Sequence, residues 1–400
     1  MTNIKKILSN AFFLFLMKRH YFLNFVIIRF LIKTLGIEKF GELEFCKSIA
    51  FYFYIFINFG FNYISSRKIH LERENKKNVS KIYFTTQTCK LVIIFFLLPV
   101  QLLIANIFLT EKKHIFLLFS LISIASSLSP IFIYQGLNKM PYLLATDFFS
   151  KLFLAIIIFK AIKTKADGWI YPLAYAFTDT ARALITNFWI YKKEKLTLYF
   201  PKLKEIKILV TEGFHSFFFV TSRTIYERLP QIIIGTNLGL KSVGIYTVAV
   251  KIIGEINVFI SQFIQATFPF SDKIQHKKFF KNSIIFIFFI SAFVYSFPGK
   301  IISIFTKEKI PEALLLLKIA SIVPVPVFIY TFFIINMAPK YKKEKLCSKI
   351  ILAISTFCMI CLSRTTCSLK NFVILITFSE TLCACIILWI FRKTLKEKNV

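Results

Sequence analysis

The sequence predicts an all-α integral membrane protein with about twelve transmembrane helices. Three observations support this class. First, 56% of the 400 residues are apolar, and the mean hydropathy is +0.66. Second, the apolar residues form long blocks, and roughly 20 helical residues suffice to cross a hydrocarbon core of about 30 Å. Third, the blocks are continuous rather than alternating, which favours helices over the strands of a β-barrel.

The apolar blocks define the predicted spans, which short segments rich in Lys and Asn separate. The spans lie near 7–32, 42–65, 82–108, 115–136, 141–162, 168–191, 208–236, 243–267, 282–305, 312–336, 347–366 and 371–391. One alternate set of loops carries about 28 lysines and arginines and the other about 13, and the positive-inside rule assigns the richer set to the cytoplasm. We therefore expect both termini to be cytoplasmic.

The strong positive charge has a topological explanation. The chain holds 52 Lys and Arg against 20 Asp and Glu, a formal net charge of +32. In a soluble protein this balance would indicate nucleic-acid binding, but here most of the excess lies in loops between spans. We expect the lipid bilayer as a partner, and no nucleic acid.

Neither a metal nor another cofactor is expected. The closely spaced cysteines, Cys358 with Cys361 and Cys383 with Cys385, lie in apolar stretches without nearby histidine or carboxylate clusters, which a metal or redox site would need. No phosphate-binding-loop sequence occurs, and the loops are too short for a nucleotide-binding domain.

A short repeat divides the chain into two halves. Gly36–Gly41 opens the second predicted span, and Gly239–Gly244 opens the eighth, 203 residues further on. That offset is about half the chain, as in a duplicated transporter. We predict an N-terminal six-helix half at 1–200 and a C-terminal six-helix half at 201–400. Six spans per half give both halves one orientation, related by a pseudo-two-fold axis along the membrane normal.

Ionisable residues inside the predicted spans define the candidate site. An ionised side chain at mid-bilayer costs at least about 2.5 kcal/mol, so it must face a partner or a wet cavity. By our count the spans hold about eleven cations and seven anions. Several of them lie three or four residues apart, a spacing that permits pairing on one helical face. These pairs are Glu44 with Lys47, Asp147 with Lys151, Asp179 with Arg182, Arg223 with Glu227, and Lys251 with Glu255.

Four cations lie deeper in their spans and outnumber the nearby acids. They are Lys18, Arg19, Arg223 and Arg228. We expect them to line a cationic substrate-binding cavity, because fixed cations replace the hydration that an anionic substrate loses. Arginine also matches the oxygens of a phosphate. The repeat offset makes His20 equivalent to Arg223, so both halves carry a basic or protonatable group near the middle of a span.

Several segments together resemble a known family. They are Leu35–Gly41, Phe59–Asn62, Ser66–Ile69, Arg73–Lys76, Ser80–Ile82, Tyr134–Met140, Tyr226–Gly235, Val243–Tyr246 and Phe268–Pro269. In order and spacing they are similar to segments of the Wzx-type O-antigen flippases, the polysaccharide transporter branch of the superfamily that also includes the MATE drug exporters. The resemblance covers most of the chain up to about residue 275.

The resemblance implies a MATE-like flippase rather than an enzyme. Such a protein would move undecaprenyl-pyrophosphate-linked oligosaccharides, the repeat units of O-antigen or a related polysaccharide, across the bacterial inner membrane by alternating access. A polysaccharide polymerase and a chain-length regulator would be its protein partners. Family members often have Asp where this chain has Asn58. Ion coupling is therefore expected to involve Glu227, Glu255, Asp179 or His20.

Three other functions remain open at this point. A multidrug or metabolite antiporter on the same fold would be favoured by an acidic cavity, whereas the span charges sum to a positive value. An integral-membrane polysaccharide polymerase would be favoured by a long, Arg-rich periplasmic loop, which the sequence lacks. A membrane scaffold would gain nothing from charges inside its spans, which would be a cost without a use.

Overall fold

The computed structural model describes residues 20–267, 276–306, 310–336 and 368–397. In these ranges the regular secondary structure is helical, with two short 3₁₀ turns at Thr110–Lys112 and Lys165–Trp169 and no strand. The prediction of an all-α chain is confirmed.

The described residues form two compact units. One is Phe22–Ile232, and the other begins at Ile233 and also includes His20 and Tyr21. The predicted halves at 1–200 and 201–400 rest on the glycine repeat and stay a prediction.

Nine helices lie between residues 20 and 237. In chain order they are α1 (His20–Leu35), α2 (Ile37–Asn58), α3 (Phe61–Leu71), α4 (Lys76–Ile107), α5 (Lys113–Leu128), α6 (Ile131–Gly136), α7 (Met140–Ala161), α8 (Ile170–Glu194) and α9 (Leu203–Asn237). Helix α2 packs against α5, α5 against α8, and α8 against α7. Helix α3 packs against α6 and α4.

Six helices are described after residue 239. They are α10 (Leu240–Thr267), α11 (His276–Ser296), α12 (Pro298–Phe305), α13 (Pro311–Ala320), α14 (Pro324–Asn336) and α15 (Leu369–Glu397). Side chains of α10, α11 and α14 form an apolar core, with Ile260, Ile264, Ile287, Phe328 and Phe332 at its centre. Helix α15 packs on α13 and α14.

The described helices make this a multi-pass membrane protein. Six helical segments of these ranges are long and apolar enough to cross a membrane, or seven if α11 and α12, which meet at a 75° bend, form one broken span. Helices α2, α8 and α9 also have 22, 25 and 35 residues but carry the interior charges. The total of twelve spans stays a prediction, because the span at 347–366 and part of 7–32 lie outside the described residues.

Several predicted spans are broken helices rather than continuous ones. The predicted span 42–65 is α2 and α3, separated at Phe59 and Gly60, whose φ angles are +40° and +74°. Glycine adopts positive φ at little cost and so accommodates the break. The predicted span 115–136 is α5 and α6, separated at Ser129 and Pro130. Proline lacks the backbone N–H that a continuous helix would use there.

A buried lysine caps the C-terminal end of α5 at the break between α5 and α6. Lys90 of α4 is 0% exposed. Its Nζ donates to the carbonyl oxygen of Ser127 at 2.7 Å and to Oδ1 of Asn62 at 2.9 Å, and it lies 5.2 Å from the centre of the Phe132 ring. The last carbonyls of a helix lack partners within it and carry partial negative charge. Lys90 therefore satisfies the C-terminal end of α5 and joins it to the start of α3.

Two amide side chains complete this end of α5. Nε2 of Gln87 and Nδ2 of Asn187 each donate to the carbonyl oxygen of Leu128 at 3.0 Å. Oδ1 of Asn187 in turn accepts from the Tyr83 hydroxyl at 2.6 Å. Helices α4 and α8 thus supply the donors that hydrocarbon cannot, and the break is stable inside the membrane.

Gly136 sits where α6 crosses α3 without space for a side chain. A Cβ atom built there would lie 2.5 Å from Cγ2 of Ile69 and 2.8 Å from the carbonyl oxygen of Ser66. Both distances are well inside van der Waals contact, and the second contact is with backbone, which cannot rotate away. The glycine allows the two helix backbones to approach closely.

We expect Gly136→Ala to destabilise the protein by about 1–3 kcal/mol, the usual cost of overpacking. Gly254 of α10 is the matched control, because a Cβ atom built there meets no described atom within 4 Å. Gly254→Ala should be neutral or slightly stabilising, since alanine favours a helix interior. Thermal unfolding of both variants in detergent measures the difference. Equal melting temperatures would contradict the close approach of α3 and α6.

Candidate functional site

For five of the predicted site residues, the structure does not describe the side chain. Lys18 and Arg19 lie outside the described residues. His20 is the first residue of α1, and Arg223 and Glu227 lie on α9, but the side chains of these three residues are also outside the description. Their proposed roles stay predictions.

Arg228 joins a charge cluster with the buried Glu44. The Glu44 side chain is 1% exposed on α2, and its Oε1 lies 3.3 Å from Nζ of Lys47 one turn further along. Its Oε2 lies 3.9 Å from Nη1 of Arg228 on α9. The predicted pair of Glu44 and Lys47 is therefore confirmed, and Arg228 is a second cation on the same carboxylate.

The geometry of this cluster presents positive charge. Lys47 and Arg228 are 23% and 26% exposed, while Glu44 between them is buried. The guanidinium of Arg228 also lies 5.1 Å from the centre of the Phe51 ring, a favourable cation–π contact. By themselves, these three described side chains sum to +1. We call Glu44, Lys47 and Arg228 the cationic cluster.

Helix α9 is held along α2 and α3 by contacts at several levels. Near its start, Oε2 of Glu212 lies 2.5 Å from Nζ of Lys68 on α3. Phe217 stacks on Phe59 with ring centres 4.8 Å apart. Further along, Arg228 reaches Glu44. Because each contact lies further from the start of α9 and nearer the start of α2, the two helices run antiparallel and their register positions Arg228.

A second cluster has the opposite balance of charge. Nη2 of Arg182 lies 2.7 Å from Oδ1 of Asp179, one turn away on α8, and Nε of Arg182 lies 3.8 Å from Oδ1 of Asp147 on α7. Asp179 and Arg182 are buried and Asp147 is half-buried. The predicted pair of Asp179 and Arg182 is confirmed. We call Asp147, Asp179 and Arg182 the acidic cluster, because these three side chains by themselves include two carboxylates and one guanidinium.

Hydroxyl groups at the end of α5 support the acidic cluster. The Ser126 hydroxyl donates to Oδ2 of Asp179, and Nη1 of Arg182 donates to the Ser129 hydroxyl at 3.3 Å. Nearby on α7, Nζ of Lys151 lies 3.8 Å from the centre of the Tyr175 ring. These serines escaped the sequence analysis because an uncharged hydroxyl in an apolar span carries no periodic or electrostatic signal.

Glu255, another predicted coupling residue, lies half-buried on α10 in the second unit. Within the described ranges, no group of three or more His, Cys, Asp and Glu side chains is arranged to hold a metal ion.

Comparison with solved structures identifies the class of protein to which this fold belongs. The chain resembles an inward-facing multidrug resistance MATE family transporter of the MOP superfamily, with a TM-score of 0.73 and 16% identity, over 99% of each chain. At this identity the likeness concerns the fold. The protein is a MATE-like, multi-pass α-helical membrane protein, as predicted.

The sequence assigns the chain to a particular family within that class. The model of the polysaccharide biosynthesis protein family matches residues 7–275, and the chain belongs to this family. Two relatives, from Escherichia coli K12 and Shigella dysenteriae, are each named "Putative O-antigen transporter" and are 27% and 23% identical over 262 and 274 residues. The chain spans 61% of the Escherichia coli relative, less than two thirds of its length.

These comparisons confirm two predictions. The resemblance to Wzx-type O-antigen flippases agrees with both the family and its named relatives. Both relatives are named as transporters, which agrees with the expectation of a transporter rather than an enzyme.

We expect Arg182→Met to cost about 3–5 kcal/mol, because it removes the buried cation that two carboxylates share. The double variant Arg182→Met with Asp179→Asn should recover much of this loss, since it also removes one of the negative charges. The yield of monodisperse protein and its melting temperature in detergent measure both effects. Arg392→Met, at an exposed position of α15, is the control. An unchanged melting temperature for Arg182→Met would contradict the acidic cluster as described.

Proposed function

We propose that this protein is a flippase for undecaprenyl-pyrophosphate-linked oligosaccharides, the repeat units of O-antigen or a related polysaccharide. It would move them from the cytoplasmic to the periplasmic leaflet of the bacterial inner membrane by alternating access. The membership of the polysaccharide biosynthesis family and the MATE-like fold support this proposal at the level of class. The cationic cluster supports it at the level of chemistry.

The arrangement of the cationic cluster is the observation that carries the proposal. The buried carboxylate of Glu44 lies between Lys47 and Arg228, which are 23% and 26% exposed. A pyrophosphate needs a bidentate donor and additional positive charge. A guanidinium supplies the first and an ammonium group the second. The surplus charge of +1 would attract an anionic headgroup, and no covalent chemistry is required.

The contact between Glu44 and Arg228 is long enough for a substrate phosphate to replace Glu44 as the partner of Arg228. At 3.9 Å it is longer than the 2.7–2.9 Å of a direct charge-assisted hydrogen bond. A phosphate oxygen could therefore accept a shorter hydrogen bond from Arg228 than Glu44 does, while Lys47 remains paired with Glu44. Arg223 on α9 and the earlier residues Arg19 and Lys18 would extend the cationic lining, as the sequence predicts.

The acidic cluster is our first candidate for the site of ion coupling. Asp147 and Asp179 both contact the guanidinium of Arg182, and a proton or a monovalent cation would compete with this guanidinium for the two carboxylates. Binding of that ion would change the forces between α7 and α8, which carry the three residues. The sequence predictions Glu227, Glu255 and His20 remain candidates for the same role.

The remaining assignments follow from the sequence. We propose that both termini face the cytoplasm, that the chain divides into six-helix halves at 1–200 and 201–400, and that a polymerase and a chain-length regulator are partners. An ion-coupled multidrug or metabolite antiporter is the second candidate. The net negative charge of the acidic cluster favours it, because a cationic drug could exchange there with a proton.

Complementation in a bacterium that lacks its O-antigen flippase tests the proposal. Surface polysaccharide is measured after confirming that the protein is in the membrane. We expect the unmodified chain to restore polysaccharide and Arg228→Ala to reduce it about tenfold or more, the effect of losing a 1.5–3 kcal/mol hydrogen bond to a charged group. Arg228→Lys should retain an intermediate level, because it keeps the charge without the bidentate geometry.

Arg392→Ala, at an exposed arginine of α15, is the matched control and should match the unmodified chain. Full activity of Arg228→Ala, at equal membrane levels, would rule out the cationic cluster as the pyrophosphate site. A chain that restores no polysaccharide but lowers drug sensitivity, with the effect lost in Asp179→Asn, would support the antiporter instead.

A further inference from the structure

The segment between α8 and α9 exposes apolar side chains beside a cluster of lysines. Leu198, Phe200 and Leu203 are 63%, 82% and 85% exposed. They lie outside the predicted spans, at the side predicted to be cytoplasmic. Six exposed lysines belong to the same stretch, residues 192–207, which we call the interfacial segment. They are Lys192, Lys193, Lys195, Lys202, Lys204 and Lys207.

The first part of the interfacial segment is fixed to the helices beneath it. Leu196 is 5% exposed in an apolar cluster that includes Ile69 and Tyr134. Its N–H donates to the carbonyl oxygen of Tyr191 at 3.1 Å, and the N–H of Thr197 donates to the Ser80 hydroxyl at 3.1 Å. The exposed apolar side chains that follow are therefore presented by an ordered backbone.

Glu205 fixes the second part. It accepts hydrogen bonds from the Tyr199 hydroxyl at 2.8 Å and from the N–H of Lys202 at 3.0 Å. Its Oε1 also lies 2.7 Å from Nζ of Lys81 on α4. The hydrogen bond from Lys81 is the main reason that the pKa of Glu205 falls to about 2. This anchor stays ionised, and the segment keeps its shape, throughout the neutral range.

The charge of the interfacial segment is poorly balanced by the protein itself. Its two acids, Glu194 and Glu205, are paired with lysines from outside it, Lys139 and Lys81. None of the six segment lysines forms an ion pair with a carboxylate in the part of the chain that the structure describes. The segment therefore offers unbalanced positive charge next to exposed apolar groups.

We propose that the interfacial segment binds the anionic headgroups of phospholipids in the cytoplasmic leaflet. The lysines would contact the phosphates, and Leu198, Phe200 and Leu203 would enter the boundary between headgroups and acyl chains. Basic and apolar side chains in this combination are typical of surfaces that bind anionic membranes. The segment begins three residues after Trp189, whose ring lies 4.4 Å from Nζ of Lys193. Tryptophan favours the interface between membrane and water.

This inference does not depend on the transported substrate. It depends on two features of the segment, its position at a membrane surface and its unbalanced positive charge. An acidic protein surface would match the charge but would leave the three apolar side chains in water. Failure of the flippase assay would not contradict lipid binding by the segment, and failure of the lipid-binding test would not contradict the flippase proposal.

Quenching of a tryptophan by brominated lipids tests the proposal. The full chain carries Phe200→Trp, with its own tryptophans at 169, 189 and 389 replaced by Phe, in vesicles of phosphatidylcholine with one third phosphatidylglycerol. We expect bromine on phosphatidylglycerol to quench at least about twofold more than bromine on an equal amount of phosphatidylcholine, and the difference to shrink in 1 M salt, which screens lysine–phosphate attraction beyond about 3 Å.

The quadruple variant K195Q/K202Q/K204Q/K207Q should abolish this difference. The matched control K160Q/K163Q/K165Q/K241Q removes four exposed lysines from loops and adjoining helix ends that are predicted to face outward. This control should leave the difference unchanged. A second chain keeps only Trp169, which is 51% exposed in the 3₁₀ turn before α8. It reports on the side predicted to face outward and should not respond to the quadruple variant.

A variant-free measurement guards against misfolding of the tryptophan chain. Native mass spectrometry of the unmodified chain should show preferential retention of phosphatidylglycerol over phosphatidylcholine. Equal quenching by the two lipids would overturn the proposal, as would a difference that survives the quadruple variant. Absence of quenching by either lipid would also overturn it, and would point to an acidic protein as the partner of the segment.

Discussion

Hydrocarbon offers no hydrogen bonds, so every polar group that this chain places inside the membrane must be satisfied by the chain itself. Lys90 meets this constraint at the break between α5 and α6, where it donates to the Ser127 carbonyl and to Asn62. Arg182 meets it between two carboxylates, and Glu44 between two cations. Within the Phe22–Ile232 unit, the contacts of Lys90 with Ser127 and Asn62, of Arg182 with Asp147, and of Arg228 with Glu44 join separate helices.

The two charged clusters use this constraint differently. Each is defined by three ionisable side chains, two of one sign and one of the other. The cationic cluster keeps its acid buried and its cations half-exposed, whereas the acidic cluster buries Arg182 and Asp179 and leaves Asp147 half-exposed. In each case the charge in excess is also the one nearest to a surface. Such an arrangement joins α2 to α9 at one cluster and α7 to α8 at the other.

Much of this arrangement is readable in the sequence. The pairs of Glu44 with Lys47 and of Asp179 with Arg182 follow from spacing along one helix, and the structure contains both. Partners from distant parts of the chain are not readable in this way. The reach of Arg228 to Glu44 and of Arg182 to Asp147 depends on helix register, and nothing in local spacing encodes it. The breaks at Gly60 and Pro130 were likewise hidden, because both residues lie within continuous apolar blocks.

The sequence by itself determined that this protein is helical, crosses the membrane many times and belongs with polysaccharide transporters, because hydropathy, loop charge and motif order are local properties of the chain. The tertiary structure decided which charges meet, why Gly136 admits no side chain, and where the α8–α9 segment presents its lysines. These features depend on distances between residues far apart in sequence. Such distances are set by how side chains of different helices pack together, and this packing is a property of the folded chain alone.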